Sequence, residues 1–463
     1  MIASDVRPVP SYGEVMAKAW RYLWIAFITA GCVLSIRFTM LFWEKPWPHQ
    51  ILTIDGQSYM KGAAGATWAT LFKLHDLYHS PGYQIYLRLL FAALGSPEAA
   101  IHVSKLLSLL MFFASAVLLY RLGRRWFQPA VAQTAAALFL FSESWRYYCN
   151  MMQYEVLTGF LMLLFLTMLT SAESSSSPKI SRLCGIGMGF VLAFISLIQM
   201  RYVVLLLVPL IYVLIQRKSL SIRDLRQSGI ILLTSLVLLA VWSFAQSLNQ
   251  GRTVFLMQGS QFRFQVANNP NAVGYSFPYP DIVEPSGWQF VLSMPGRWLW
   301  LIGQRALYLF GIKRDIWALP PEGFRSGPIG SYSLLDLISM IVFATGLILA
   351  MSRVRRRELN DELEAGILLL ACAMLPALFI FGSKRFIVPV IPLIALFQGY
   401  AIVATARQIF QPGKKSELTG FERGGSSSRP CSNSLPPSSG KVVAIKVHHL
   451  DPRSYEVLFG LRT

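Results

Sequence analysis

Asp55, in the segment ILTIDGQSYMKGAAG (51–65), follows closely on the first long apolar run of the chain. A lone carboxylate there could act as a general base, taking the proton of an acceptor hydroxyl. Tyr59 stands four residues on, on the same face of a helix, where it could orient the base or a substrate. The same Asp could instead cap a helix, because Asp is a favoured N-cap residue and a helix-like stretch follows. Glu155 is the second acidic candidate. It follows the turn SWRYYCNMMQY and opens a later apolar run, where a carboxylate is costly unless solvated or paired. It could assist Asp55 or hold an acceptor, or it could simply answer the positive end of a helix. Glu143, at the end of the preceding run, competes for that role.

Cations could balance these acids. Arg201, Arg252, Arg263, Arg297, Arg305, Lys313, Arg314, Lys384 and Arg385 share one side of the chain in the arrangement argued below. Guanidinium forks and ammonium groups bind phosphate well, although long basic side chains also reach lipid headgroups without further purpose. Arg201 and the pair Lys384-Arg385 lie in tight turns between apolar runs and are the readiest ligands for a lipid phosphate. In ANNPNAVGYSFPYP (267–280), Asn268 and Asn269 could bridge sugar hydroxyls or satisfy the backbone of an ordered turn. His49, His75 and His79 fall in the first loop, and HxxxH (75–79) could offer two imidazoles to a divalent metal, though no cofactor is required by the spacing. Solvated histidines would look the same.

Positioning such groups is the task of a membrane bundle. The chain has 463 residues, 54% hydrophobic and only 14% charged, where soluble domains carry roughly 25% charged residues. Candidate spans are 20–43, 98–120, 128–142, 155–172, 183–200, 202–216, 229–247, 332–351, 365–381 and 386–406. The net charge of +19 fits this class better than nucleic-acid binding, because the basic residues cluster between runs. Arg121, Arg124 and Arg125; Lys179 and Arg182; Arg217, Lys218, Arg223 and Arg226; and Arg353, Arg355, Arg356 and Arg357 all fall on one side if ten spans place both termini inside. Two further apolar stretches, 81–95 and 288–312, then read as helices lying at the outer interface. The outer face carries the large loops 44–97 and 248–331. Residues 1–19 are polar and show no cleavable leader pattern, so the first span reads as an uncleaved anchor. The five cysteines (32, 149, 184, 372 and 431) show no metal or disulfide spacing. Residues 411–463 form a polar tail expected to be disordered, Ser-, Gly- and Pro-rich over 411–440 and with one strand-like piece, KVVAIKV, in 441–463.

The order of these motifs resembles the GT-C class of polytopic glycosyltransferases, which includes protein O-mannosyltransferases and lipid A aminoarabinose transferases. Arg37 ends the first span, and Asp55 and Tyr59 follow where the class keeps its acidic base motif. HSPGYQIYLRLLFAALG (79–95) is similar to a Pro-started helix with a closing Gly. KLLSLLMFFASAVLLYRLGRRWF (105–127) and FSESWRYYCNMMQYE (141–155) follow the second to fourth spans, with Glu155 at a second acidic position. ANNPNAVGY resembles a Gly-Asn-Asn-Pro-x-Ala-x-Gly loop, and GSKRFIVPVIPLI (382–394) a Gly-x-x-Arg-Tyr-x-x-Pro-x-x-Pro motif. The likeness runs over about 20–406. Two departures stand out: Asp55-Gly replaces an Asp-Glu pair, and the Asn loop begins with Ala267.

The resemblance implies an all-α polytopic enzyme of about ten spans, occupying residues 1–410. It implies a polyprenyl- or dolichyl-phosphate-sugar donor and a glycan, lipid or protein acceptor, with no nucleic acid. Transfer would invert the sugar on the extracytoplasmic face of the plasma or inner membrane. Asp55 would be the base, Glu155 its acidic partner, and Arg201, Lys384 and Arg385 would stabilise the leaving phosphate. A multi-span transporter or lipid flippase is the alternative, disfavoured by the few charges within the spans and the lack of an internal repeat. An O-antigen-type ligase or polymerase with a diphosphate-linked donor is a third reading.

Overall fold

The computed structural model describes residues 12–43, 54–72, 74, 81–173, 178–215, 222–255, 260–275, 281–314, 331–356, 359 and 362–410. Residues 1–413 form one compact unit. The expected tail from 411, its strand-like piece, and His49, His75 and His79 lie outside the described residues.

Every expected span is helical. Among the described residues, seven helices are long and apolar enough to cross a membrane: Tyr22–Trp43, Pro97–Trp126, Ser181–Ile198, Leu225–Gln250, Leu334–Arg355, Glu362–Phe379 and Lys384–Ile409. Three shorter apolar helices, Pro129–Leu140, Glu155–Ser171 and Met200–Leu214, bring the set to the ten the hydropathy predicts. In lipid, a helix satisfies its own backbone hydrogen bonds, which is why apolar runs of this length resolve this way. Among the described residues no strand forms, only an isolated bridge between Lys313 and Tyr332. The chain is an integral multi-pass membrane protein.

In chain order the elements that position the site are α1 (Tyr12–Trp43), α2 (Ile54–Ala63), α3 (Pro81–Leu94), α4 (Pro97–Trp126), α5 (Pro129–Leu140), α6 (Glu143–Cys149), α7 (Glu155–Glu173) and α8 (Pro178–Ile198). A 3-10 segment at Met200–Leu206 leads into α9 (Leu207–Ile215), followed by α10 (Ile222–Gln250) and α11 (Ser260–Ala267). Then come α12 (Trp288–Ser293), α13 (Pro295–Leu309), α14 (Leu334–Arg355), α15 (Glu362–Phe379), α16 (Lys384–Ile387) and α17 (Ile391–Phe410). Helix α4 packs on α5 and α7, α7 on α8, and α8 on α10, while α17 lies between α5 and α14.

The apolar stretch 81–95 does not simply lie on a surface: α3 buries Tyr83, Leu87, Arg88 and Phe91 against its neighbours and leaves Leu89 and Leu94 exposed. The stretch 288–312 is two helices, because Pro295 starts a new one.

Two of the basic loops, after α4 and after α14, lie beside α15 and α17. There the Arg125 guanidinium makes a bidentate pair with Glu362, and Arg353 lies 5.8 Å from the Tyr400 ring centroid. Tyr83, on the site side, sits beside Ser104 of α4. From Ser104 to Arg125, α4 rises about 30 Å at about 1.5 Å per residue, roughly a bilayer core.

Candidate active site

Two carboxylates distant in sequence meet on one guanidinium. Arg385 Nε donates to Glu155 Oε1, and Arg385 Nη1 donates to Asp55 Oδ2. Asp55 lies in the first turn of α2 and Glu155 in the first turn of α7, so each also lies at the positive end of a helix. Glu155 is wholly buried and Arg385 is 3% exposed, whereas Asp55 keeps 30% of its side chain exposed. Asp55 is thus the carboxylate that a ligand can reach.

Close packing sets this meeting. A Cβ on Gly159, one turn past Glu155, would lie 2.7 Å from Pro389 O and 2.6 Å from the Trp145 ring. Only glycine therefore lets α7 lie against the turn that carries Arg385. Trp145 Nε1 clamps the same turn by donating to Val388 O at 2.7 Å. On the other flank, a Cβ on Gly82 would lie 2.5 Å from Ile198 N, so α3 starts in contact with the end of α8. Arg88 holds the loop after Asp55 to α3, donating to Gly62 O, Thr70 O and Leu71 O at 2.6, 2.7 and 3.0 Å. From α10, Gln246 and Gln250 donate to Phe72 O and Leu74 O, both at 3.0 Å.

Tyrosines wall the carboxylates. The rings of Tyr59 and Tyr83 meet edge-on at 5.1 Å, and Tyr154 stands 6.3 Å from Tyr59 and 6.5 Å from Tyr83. The Arg385 guanidinium carbon lies 5.1 Å from the Tyr154 ring centroid. Burial pushes the Tyr59 phenol well above its ordinary value, and the neighbouring Tyr154 and Asp55 add to the shift. Burial raises Tyr83 and Tyr154 in the same way; Arg385 and Arg201 pull Tyr154 back and Glu155 pushes it further. These phenols stay protonated at neutral pH and can donate hydrogen bonds, while the carboxylates accept them. A half-exposed base against aromatic walls, with cations at hand, can deprotonate a hydroxyl and stabilise an anion.

The family described as dolichyl-phosphate-mannose-protein mannosyltransferase matches residues 78–255. No curated protein sequence matches the chain. Among solved structures, ArnT from Cupriavidus metallidurans bound to undecaprenyl phosphate is similar at 13% identity and a TM-score of 0.52, over 84% of this chain and 60% of that one. ArnT in the apo state is similar at 14% identity and a TM-score of 0.52, over 85% of this chain and 62% of that one. The chain has the GT-C fold. It spans about 60% of the length of those ArnT chains. An Archaeoglobus fulgidus oligosaccharyltransferase aligns at 12% identity and a TM-score of 0.46, over 84% of this chain and 50% of that one.

Within this GT-C bundle the expected site residues separate. Asp55, Tyr59, Glu155 and Arg385 come together. Arg201 joins them: its guanidinium lies 4.0 Å from the Phe386 ring centroid and 4.7 Å from that of Tyr202, and one Nη donates to Tyr202 Oη at 2.8 Å. Lys384 does not follow its neighbour. Its Nζ pairs with Asp336 of α14 at 2.8 Å, and its stem packs on Gly311. Consecutive residues at a helix start point about 100° apart, so only one of the pair can face the carboxylates.

Asn268 and Asn269 take the loop-building alternative rather than the sugar-bridging one. Both are wholly buried. Asn268 Nδ2 donates to Phe264 O at 3.0 Å and Phe379 O at 3.2 Å, and Asn269 Nδ2 to Val266 O at 2.8 Å. Their remaining oxygens accept from Arg305 and the Asn271 backbone. Arg305, grouped above with phosphate ligands, is itself an interior clamp. It is wholly buried and donates to Leu378 O, Phe379 O, Ala267 O and Asn268 Oδ1 at 3.1, 2.9, 2.6 and 3.1 Å. Burial pulls its pKa down to about 10. Arg297 lies over Trp300 at 3.9 Å, and Lys313 donates to Gln304 at 2.9 Å. Glu143 is exposed at the start of α6.

Sequence reasoning passed over Tyr83, Tyr154 and Asp336. Arg88 did leave a signal, a lone Arg inside an apolar helix, which must find acceptors. Among the described residues no group of three metal-ligating side chains occurs.

Proposed function

We propose that this protein is a glycosyltransferase that moves a sugar from a polyprenyl- or dolichyl-phosphate-linked donor to an acceptor hydroxyl. The observation that carries the reading is the junction of Asp55, Glu155 and Arg385 at one end of a GT-C bundle. The family match to a dolichyl-phosphate-mannose-protein mannosyltransferase and the undecaprenyl phosphate of the similar ArnT structure support a lipid-phosphate donor.

Asp55 accepts the proton of the acceptor hydroxyl as the oxygen attacks the anomeric carbon. The bond from that carbon to the phosphate oxygen breaks, and the lipid phosphate leaves with the electron pair. Arg385 and Arg201 stabilise its charge. Glu155 holds Arg385 in place. A single displacement with one base inverts the anomeric centre, and only one of the two carboxylates is exposed enough to serve. The clustering of Arg and Lys between apolar runs supports an extracytoplasmic position for the loop that carries Asp55, by the positive-inside tendency.

Asp55→Asn is expected to abolish transfer while the protein still inserts and binds donor lipid. Full activity in that variant sinks the assignment of the base. Substrate flux in sealed liposomes without covalent transfer would favour a transporter instead.

A further inference from the structure

Arg385 has two partners of unequal standing. Its Nε serves the wholly buried Glu155, and its Nη1 serves Asp55, which is 30% exposed. Stripping the cation from a buried carboxylate is costly, whereas a part-exposed one can exchange it for water or a ligand. While Arg385 holds Asp55, the carboxylate is neutralised and engaged by a donor, which is the wrong state for a base.

A second cation stands ready beside it. Arg201 is fixed by the Phe386 and Tyr202 rings, and both Arg201 and Arg385 act on Tyr154. The buried Nε of Arg201 has no hydrogen-bond partner among the described residues. A buried guanidinium N–H left without an acceptor is costly, and an anion placed there removes that cost.

We propose that Arg385 is a shared latch: a lipid-linked phosphate ester bound by Arg201 and Arg385 draws the guanidinium off Asp55 while Glu155 retains it. Engagement of the phosphate then frees the base, so the donor binds before the acceptor can react. No covalent bond changes in this step; one ion pair is exchanged for another. The identity of the anion rests on the transferase reading.

Because the phosphate and Asp55 compete for Arg385, their coupling is reciprocal and can be read from binding alone. The probe is a farnesyl-length prenyl phosphate, titrated onto the full chain in nanodiscs, with prenyl alcohol and inorganic phosphate as controls. Asp55→Asn is expected to tighten prenyl phosphate binding about fivefold or more. Glu155→Gln is expected to weaken it, because Arg385 loses its anchor, and Arg201→Gln to weaken it about tenfold. Simple removal of negative charge would tighten binding in both acid variants, and that result overturns the latch while leaving the transferase reading standing. An unchanged affinity in Asp55→Asn overturns it as well. A check independent of Glu155 folding uses Arg385→Lys, since an ammonium lacks the fork that spans both acids. In that background the gain from Asp55→Asn should fall below about twofold; an undiminished gain refutes the shared guanidinium. If the wild-type chain binds prenyl phosphate no better than prenyl alcohol, the latch and the transferase reading both fall. If inorganic phosphate binds as tightly as the prenyl ester, the lipid part of the proposal fails.

Discussion

Replacing Arg385 by Gln removes the charge that two carboxylates share. The guanidinium is 3% exposed and its partner Glu155 is 0% exposed, so water cannot replace the lost ion pair at Glu155. Breaking a buried pair by deleting one partner costs about 3–5 kcal/mol, which is roughly two to four decades in the unfolding equilibrium. Glu155→Gln leaves Arg385 still paired with Asp55 and should cost less, on the order of 1–3 kcal/mol for a lost charged hydrogen bond. Asp55→Asn acts on a side chain that is 30% exposed and should cost about 1 kcal/mol or less. The double variant Arg385→Gln/Glu155→Gln should cost less than the sum of its parts, since it leaves no buried charge unpaired. Equilibrium unfolding in mixed micelles, followed by Trp fluorescence, reads all four. A cost below about 0.5 kcal/mol for Arg385→Gln, or an equal cost for the two acid variants, would refute the assignment of Glu155 as the buried anchor.

Burial raises the Tyr59, Tyr83 and Tyr154 phenols above the ordinary value of 10.0, so the folded state keeps protons that the unfolded chain releases. Stability is therefore full below about pH 10 and falls as pH rises through and beyond it, and Tyr59→Phe with Tyr83→Phe should flatten that fall in unfolding midpoints measured between about pH 9 and 11. Arg305→Lys keeps the charge but cannot reach three carbonyls and an amide at once; it should lose about 2–3 kcal/mol and hasten proteolytic cleavage near 267–275, and unchanged protection would count against the clamp. Gly82→Ala puts a methyl 2.5 Å from Ile198 N and 2.7 Å from Leu197 C, both backbone atoms. It should displace α3 and lower transfer activity at least about tenfold, through a misplacement of order 1 Å, without touching a carboxylate; wild-type activity would show that α3 does not set the site.

Much of the site was legible because membrane chemistry makes charges conspicuous. An acid at the start of an apolar run must be solvated or paired, and that marked Glu155, with Glu143 still competing. The basic turn at 384–385 stood out for the same reason. The sequence could not say which of Lys384 and Arg385 faces the acids, because a rotation of about 100° per residue is invisible until the helix has neighbours. The sequence left Asn268 and Asn269 open between sugar ligand and loop builder, because an amide satisfying a loop and an amide awaiting a hydroxyl have the same spelling; their burial and hydrogen bonds favour the loop.

By itself the chain determined its solvent and its helices. Apolar runs of span length leave the backbone no other way to satisfy its hydrogen bonds in lipid, and the clustering of Arg and Lys between runs sorts the two ends. Asp55 could be suspected as a base from its place beside the first span. Only the tertiary structure brought it to Arg385 and Glu155, through contacts between α2, α7 and α16 that no local pattern encodes. It also decided which carboxylate is buried and which is open, and that difference separates an anchor from a base: burial depends on what packs around a side chain, not on the residues beside it.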